Sequence, residues 1–326
     1  MNITFTYGIH LTNTMGRAVA VDPLLPPKKC PLDCIICPLG SSAGKPKDME
    51  GLKTPPANVL LADYKNNKPA DFTHDVMFLW GFGDPLILPD IHEKLADLKK
   101  LLIEEGVDVK LAVHTSLLRR KVLNEVVHVV DIIEVPYLWF GDQLSILGWP
   151  ESASFSAYTE TLKYLNKTAS SKVLVKVYVF RIGSRMYPAV SDLEELILVL
   201  SSTRTDKVIL KSLNRPSPGH ATKQSSQSHV EAVVEELSKN GIRVILEQEA
   251  LPEKPLQWSR LANNLYNHLL RTPLTLREIK GLYGDLGIIA LTNLASKKKV
   301  VHLYWGKQVY YWAPFTPFLA RSFPQT

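Results

Sequence analysis

The chain has 326 residues, 45% hydrophobic and 21% charged, which suffices for a sizeable core and exceeds one average domain. It contains no run of about 18 uncharged apolar residues, so no membrane-spanning helix is expected, and its first ten residues lack the basic-then-apolar order of a secretory leader. The net charge of +6 is uneven: residues 251–326 hold ten Lys/Arg against three Asp/Glu, or +7, and the rest of the chain holds −1. Such asymmetry points to a polyanionic partner or to a plain basic surface.

The segment from Thr14 to Pro23 reads as a short buried strand stopped by proline, and Pro23, Pro26, Pro27 and Pro31 keep the following connection extended. That connection delivers Cys30, Cys34 and Cys37, the only cysteines in the protein. An odd set of thiols in one short loop is no disulfide framework and fits a reducing, cytoplasmic compartment. Three thiolates so spaced can close around one inorganic centre. A cubane iron–sulfur cluster usually takes four, so three leave one iron open to a small ligand. The other reading of the residues is a zinc site completed by His10 or His74. After Cys37 the small, polar loop from Pro38 to Lys45 either lies close to a ligand or simply turns.

From Val76 onward, apolar runs alternate with helical patterns. Strands are expected at 76–80, 107–113, 131–138, 173–180, 207–213 and 242–246, and helices at 89–105, 117–127, 153–166, 192–200 and 229–240. This alternation implies an α/β fold with a parallel sheet and right-handed crossovers. In barrels of that kind the active site is built from loops at the C-terminal strand ends. Gly81, Phe82, Gly83 and Asp84 follow the 76–80 strand directly; the glycines permit close backbone approach, and Asp84 could accept from an ammonium group. Thr115 and Ser116 end the next strand and serve equally well as helix N-caps or as ligand contacts. Glu134 and Arg181 occupy similar places further along, where a paired or surface role competes. After the 207–213 strand, Asn214 and Arg215 sit in a proline-fixed loop, and the planar fork of Arg215 suits an anionic substrate group or an ordinary exposed turn. His220, in the same loop, is a candidate general base or a solvated side chain.

Residues 249–256 read as a linker. Helical patterns follow at 258–270, 275–282 and 286–296, the second opened by a Thr275–Glu278 capping box. Residues 299–312 form a hairpin pattern with a two-residue turn at Gly306-Lys307. Three helices and a hairpin make a winged helix, in which Lys297, Lys298, Lys299 and the wing-tip Lys307 suit phosphate contact. Winged helices also dock on proteins.

The cysteine spacing, with the glycine loop after the next strand, resembles the radical S-adenosylmethionine (SAM) superfamily. Tyr7-Gly8, the segment from Met15 to Asp22 and the Cys37-Pro38-Leu39-Gly40 ending resemble, within it, the wyosine-synthase-related iron–sulfur oxidoreductases, some of which end in a winged helix. The resemblance implies a partial (β/α)6 TIM-like barrel over residues 1–250 and a winged-helix domain over 251–326. It implies a [4Fe-4S] cluster on Cys30, Cys34 and Cys37, with SAM held by Gly81, Phe82, Gly83, Asp84, Thr115, Ser116 and Arg181. It further implies reductive cleavage of SAM to a 5′-deoxyadenosyl radical, an electron donor such as a ferredoxin or flavodoxin, and a macromolecular substrate such as tRNA. Radical modification of a protein or peptide, and a non-catalytic iron–sulfur sensor that binds DNA, are the competing functions. Asp84 stands where that group usually has glutamate, Ile36 where it has an aromatic residue, and no cysteine remains for a second cluster.

Overall fold

The computed structural model describes residues 1–30, 32, 34–40, 51–117, 119–137, 154–169, 172–205, 207–217 and 221–314. Of the loop expected from Pro38 to Lys45, the part from Ser41 on lies outside the described residues, as does the candidate base His220.

Among the described residues, seven strands run parallel in one sheet: β2 (Gly16–Val21), β3 (Val76–Leu79), β4 (Lys110–His114), β5 (Ile132–Tyr137), β6 (Lys172–Ile182), β8 (Lys207–Ser212) and β10 (Arg243–Leu246). Helices α1 (Ala57–Asn67), α2 (Ile91–Glu104), α3 (Arg120–Val126), α4 (Phe155–Thr168), α5 (Val190–Ser202) and α6 (Gln227–Lys239) alternate with them. Two short strands, β7 (Arg185–Tyr187) and β9 (Thr222–Gln224), pair with the far end of β6.

The expected α/β alternation holds, and the six expected strands are all present, with ends shifted by up to three residues. Besides β7 and β9, the barrel part gains a helix and a strand that sequence reading did not expect. Helix α1 follows Pro55-Pro56 and buries Leu60, Leu61 and Tyr64. Strand β1 (Thr6–Thr12) pairs antiparallel with β2. Its far end meets the chain leaving β10 through a Thr12–Glu249 bridge, where the Ala250 amide donates to Leu11 O at 2.9 Å. The sheet thus curls into a partial barrel with β1 at the seam.

Alternation along the strands sorts side chains onto two faces. Met77, Leu79, Val113, Val135, Val177 and Leu210 pack with helix residues such as Leu95, Leu98, Leu123, Leu162 and Leu196 in the main core. The other face carries a separate small cluster, Ala18, Val76, Phe78, Ala112, Ile132, Leu174 and Ile209, with no helix residue in it. These side chains form the floor of the barrel interior. Two residues further along each strand, on the same face, stand Trp80, His114, Glu134, Lys176 and Lys211.

The C-terminal part comprises α7 (Leu261–Arg271), β11 (Leu274–Thr275), α8 (Leu276–Ser296), β12 (Val301–Trp305) and β13 (Gln308–Trp312), with the strands in the order β11-β13-β12. Helix α8 is two helices joined at a kink, where Gly284 takes φ 67°. The capping box at its start forms as expected: Thr275 Oγ1 accepts from the Glu278 amide, and Glu278 Oε2 accepts from the Thr275 amide at 2.7 Å. Leu265, Leu269, Ile279, Leu282 and Leu291 belong to the same core as the barrel helices. Among the described residues no helix is long and apolar enough to cross a membrane.

Helix α7 lies against β1 and sends Arg271 into the barrel wall. Arg271 Nε donates to Asp22 Oδ2 at 2.7 Å, both side chains are fully buried, and the guanidinium lies 4.7 Å from the ring centroids of both Tyr7 and Phe82. Burial pushes the Asp22 carboxyl up to about 6 against the pull of Arg271. Removing one partner strands a buried charge, so Arg271→Met is expected to lower the unfolding free energy by about 3–5 kcal/mol in urea titrations. A loss under about 1 kcal/mol, the scale of an exposed pair, would contradict this role.

Candidate functional site

The cysteine loop is held at three places. The Lys29 amide donates to Phe82 O at 3.1 Å, Lys28 Nζ donates to Gly40 O at 2.6 Å, and Ser217 Oγ donates to Cys37 O at 2.7 Å. Between these anchors the chain turns tightly, the Cys37 amide bonding to Cys34 O at 2.9 Å and the Gly40 amide to Cys37 O at 3.0 Å. All three cysteines are half-buried, none is in a disulfide, and all three line one cavity of about 100 Å³. Burial pushes the Cys30 thiol up to about 11, while the Lys28 ammonium pulls the other way.

Across the cavity lie Gly81, Gly83, Asp84 and Ser116. Both glycines are required by close approach. A Cβ on Gly81 would stand 2.1 Å from Asp22 Cγ, and one on Gly83 would stand 2.5 Å from Lys29 O. The glycine loop and the cysteine loop are therefore packed backbone against backbone. Among the described residues no three His, Cys, Asp or Glu side chains are arranged to hold a single metal ion. That is compatible with a cubane, in which each thiolate binds its own iron and the ligands need not meet at one point. The donor set of three thiols facing a glycine-lined wall fits a cluster with an open iron.

Asp84 is already engaged. Its Oδ2 accepts from Ser116 N at 2.8 Å, Ser116 Oγ at 2.7 Å and Thr115 Oγ1 at 3.0 Å, and its Oδ1 accepts from Leu86 N at 2.9 Å. The carboxylate thus fixes the ends of β3 and β4 to each other. Of the residues expected around SAM, Gly81, Gly83, Asp84 and Ser116 line the cysteine cavity, whereas Phe82 packs under Arg271 and Thr115 is fully buried. Arg181 lies away from it, donating to Gln224 O and Gly183 O. Trp80, His114, Pro136 and Tyr178 complete the cavity. Sequence reading missed these four as a set, although Trp80, His114 and Tyr178 continue the strand alternation two or more residues beyond the floor.

Above that floor the barrel interior holds a ring of charge. His114 Nδ1 lies 2.9 Å from Glu134 Oε1, and Lys176 Nζ bridges Glu134 at 2.6 Å and Glu247 at 2.8 Å. Lys211 Nζ bridges Glu247 at 2.8 Å and Glu249 at 2.5 Å, and Arg215 bridges Glu249 and Glu278 at 2.8 Å each. Arg215 is therefore taken by two carboxylates of this chain, so the expected anion site is filled from within. Asn214 O accepts from Tyr310 Oη at 2.8 Å. The expected basic run Lys297–Lys299 is exposed at the end of α8, and Lys307 is exposed at the hairpin turn.

Neighbouring cavities share walls. The interior cavity of about 90 Å³ shares Ile36, Pro38, Trp80, His114 and Tyr178 with the cysteine cavity. It shares His10, Thr12, Asn214, Arg215, Glu249 and Thr272 with a cleft of about 740 Å³ between barrel and hairpin.

No model of a known protein family matches the chain. It is 21% identical over 286 residues to a GTPase Obg of Brachyspira hyodysenteriae, covering 84% of this chain but only 39% of that protein's length. It is 20% identical over 317 residues to a UPF0026 protein of Helicobacter pylori strain J99, covering 96% of this chain and 98% of that one. Among solved structures, a radical SAM methyltransferase from Sphaerobacter thermophilus superposes with a TM-score of 0.53 at 18% identity, over 71% of this chain and 65% of that one. The chain shares the barrel fold of a radical SAM enzyme.

Two outcomes follow from the geometry. Gly83→Ala forces a methyl onto Lys29 O, so iron bound per chain after reconstitution is expected to drop sharply while far-ultraviolet circular dichroism is kept; unchanged iron would contradict the packing. The ring sets a pH dependence. Burial alone would raise Glu134, Glu247 and Glu249, but Lys176 and His114, Lys176 and Lys211, and Lys211 and Arg215 respectively outweigh it and hold all three below the usual 4.5. The folded chain then binds fewer protons than the unfolded one, so this stabilisation is complete above 4.5 and lost as pH falls below it. Thermal unfolding across pH should show that loss. Lys176→Met should move its onset towards neutral pH, and an unmoved onset would contradict the assignment.

Proposed function

We propose that the protein is a radical SAM enzyme, with a [4Fe-4S] cluster on Cys30, Cys34 and Cys37 and SAM in the adjoining cavity against Gly81, Gly83 and Ser116. The observation that carries this reading is one cavity shared by the three cysteines and the two close-packed glycines. Such a group supplies reductive cleavage of SAM and hydrogen-atom abstraction from a substrate. The residues of the chain then have separate tasks. Asp84 keeps the ends of β3 and β4 in register around the cofactor. Trp80, Pro136 and Tyr178 wall the cavity, and Glu134 orients the His114 imidazole within it. Phe82 and Thr115 support the site from outside its lining.

Residues 251–326 are assigned to a winged-helix module, supported by the order helix, strand, two helices and two strands with β11 against β13. The substrate is macromolecular, RNA being favoured by the basic tail. The enzyme works in the cytoplasm with an external donor such as a ferredoxin or flavodoxin. Protein or peptide modification is the second reading, since winged helices also dock on proteins. A DNA-binding sensor has no use for the glycine-walled cavity beside the cysteines. A GTPase activity has no support in the sequence, which carries no Gly-x4-Gly-Lys-Ser/Thr phosphate loop.

Anaerobic reconstitution with iron and sulfide, followed by dithionite and SAM, is expected to yield 5′-deoxyadenosine, and Cys34→Ala to abolish it. Product formation by Cys34→Ala would overturn the ligand assignment.

A further inference from the structure

The cleft between barrel and hairpin carries an excess of positive charge that no carboxylate among the described residues neutralises. Arg181 and Lys223 face it from the barrel side, Arg277 and Lys307 from the C-terminal side. None of the four has a carboxylate partner among the described residues; Arg181 donates to the carbonyls of Gln224 and Gly183. The cleft's own carboxylates, Glu249 and Glu278, are bound by Lys211 and Arg215. Beside these cations lies Trp305, whose indole N–H donates to Thr222 O at 2.6 Å and whose ring meets Tyr310 edge-on at 6.0 Å. That bond pins the hairpin to the barrel strand β9 and holds the indole in a fixed plane.

The Lys297–Lys299 run belongs to another surface. It precedes β12, whereas Lys307 follows it, and five residues of strand span roughly 17 Å. None of the three lysines lines the cleft.

We infer that this cleft is a docking surface for single-stranded nucleic acid, its phosphates held by Arg181, Lys223, Arg277 and Lys307, and that Lys297–Lys299 is not part of it. An acidic peptide would be met by the cations alone. A rigid indole among cations is what a polynucleotide uses, since every base has a face to stack. The inference rests on the proposed enzymatic reading in one respect: the cleft shares a wall with the interior cavity and that cavity shares one with the cysteine site, so a strand bound there lies beside the chemistry.

The test uses the reconstituted full-length protein and fluorescence anisotropy with two probes, a short labelled single-stranded RNA of mixed sequence and a labelled polyglutamate. Four phosphate contacts on a single strand should make log affinity fall with log salt at a slope of about −3. Arg277→Glu combined with Lys307→Glu is expected to weaken RNA binding by about tenfold or more and flatten that slope. Reversal of Lys297, Lys298 and Lys299 together should leave affinity within about twofold. Binding of polyglutamate but not RNA, loss of RNA binding only on reversal of the lysine run, or no RNA binding at all would each overturn the inference. SAM cleavage without partner is measured on the same samples. If the cleft variant still makes 5′-deoxyadenosine, its binding defect is local. If the wild type binds RNA but makes none, the enzymatic reading fails and the docking surface stands.

Discussion

The buried pair of Asp22 and Arg271 is the constraint on which the other contacts depend. Asp22 directly follows β2, and its carboxylate accepts from the Leu24 amide, the Phe82 amide and Arg271. One side chain thereby fixes where the chain turns towards the cysteines, where the glycine loop leaves β3 and where α7 docks. The Gly81 backbone can lie against Asp22 only because it has no side chain. Charge, close packing and the cysteine loop are consequences of a single junction, made between residues 249 positions apart.

A second consequence concerns the C-terminal part. Helix α7 delivers Arg271 to the junction, the start of α8 delivers Glu278 to Arg215, and the hairpin delivers Trp305 to β9. The segment is tied to the barrel at three levels: beneath the glycine loop, at the rim of the charged ring and at the cleft. It shares the hydrophobic core of the barrel, and one wall of the cleft is built from it. The ring itself explains how a barrel can hold so many ionised side chains. Each carboxylate meets at least one cation and each cation two carboxylates, so desolvation is offset by neighbours instead of by water.

Much of the architecture was legible in the sequence because it is local. Apolar runs such as Val76–Leu79 and leucines at helical spacing in α2 declare their own structure, and the three cysteines lie within eight residues. What escaped was non-local. Strand β1 has no strong alternation and becomes a strand through pairing with β2 and with Glu249. Asp84 looked like a ligand for an ammonium group because only the Leu86 amide is near it in sequence; Thr115 and Ser116 satisfy its other oxygen across the sheet. Arg215 looked available for an anion because Glu249 and Glu278 are distant in sequence. Trp80, His114 and Tyr178 read as strand residues, and only the curl of the sheet brings them to one cavity.

The claim that matters most is that an incompletely ligated cluster meets SAM in the cavity between the cysteine and glycine loops. Electron paramagnetic resonance of the reduced, reconstituted protein, recorded with and without saturating SAM, tests it most directly. The account predicts a cluster signal whose line shape and g-values change on SAM addition, because the cofactor binds an iron. A cluster signal that SAM leaves unaltered would contradict it.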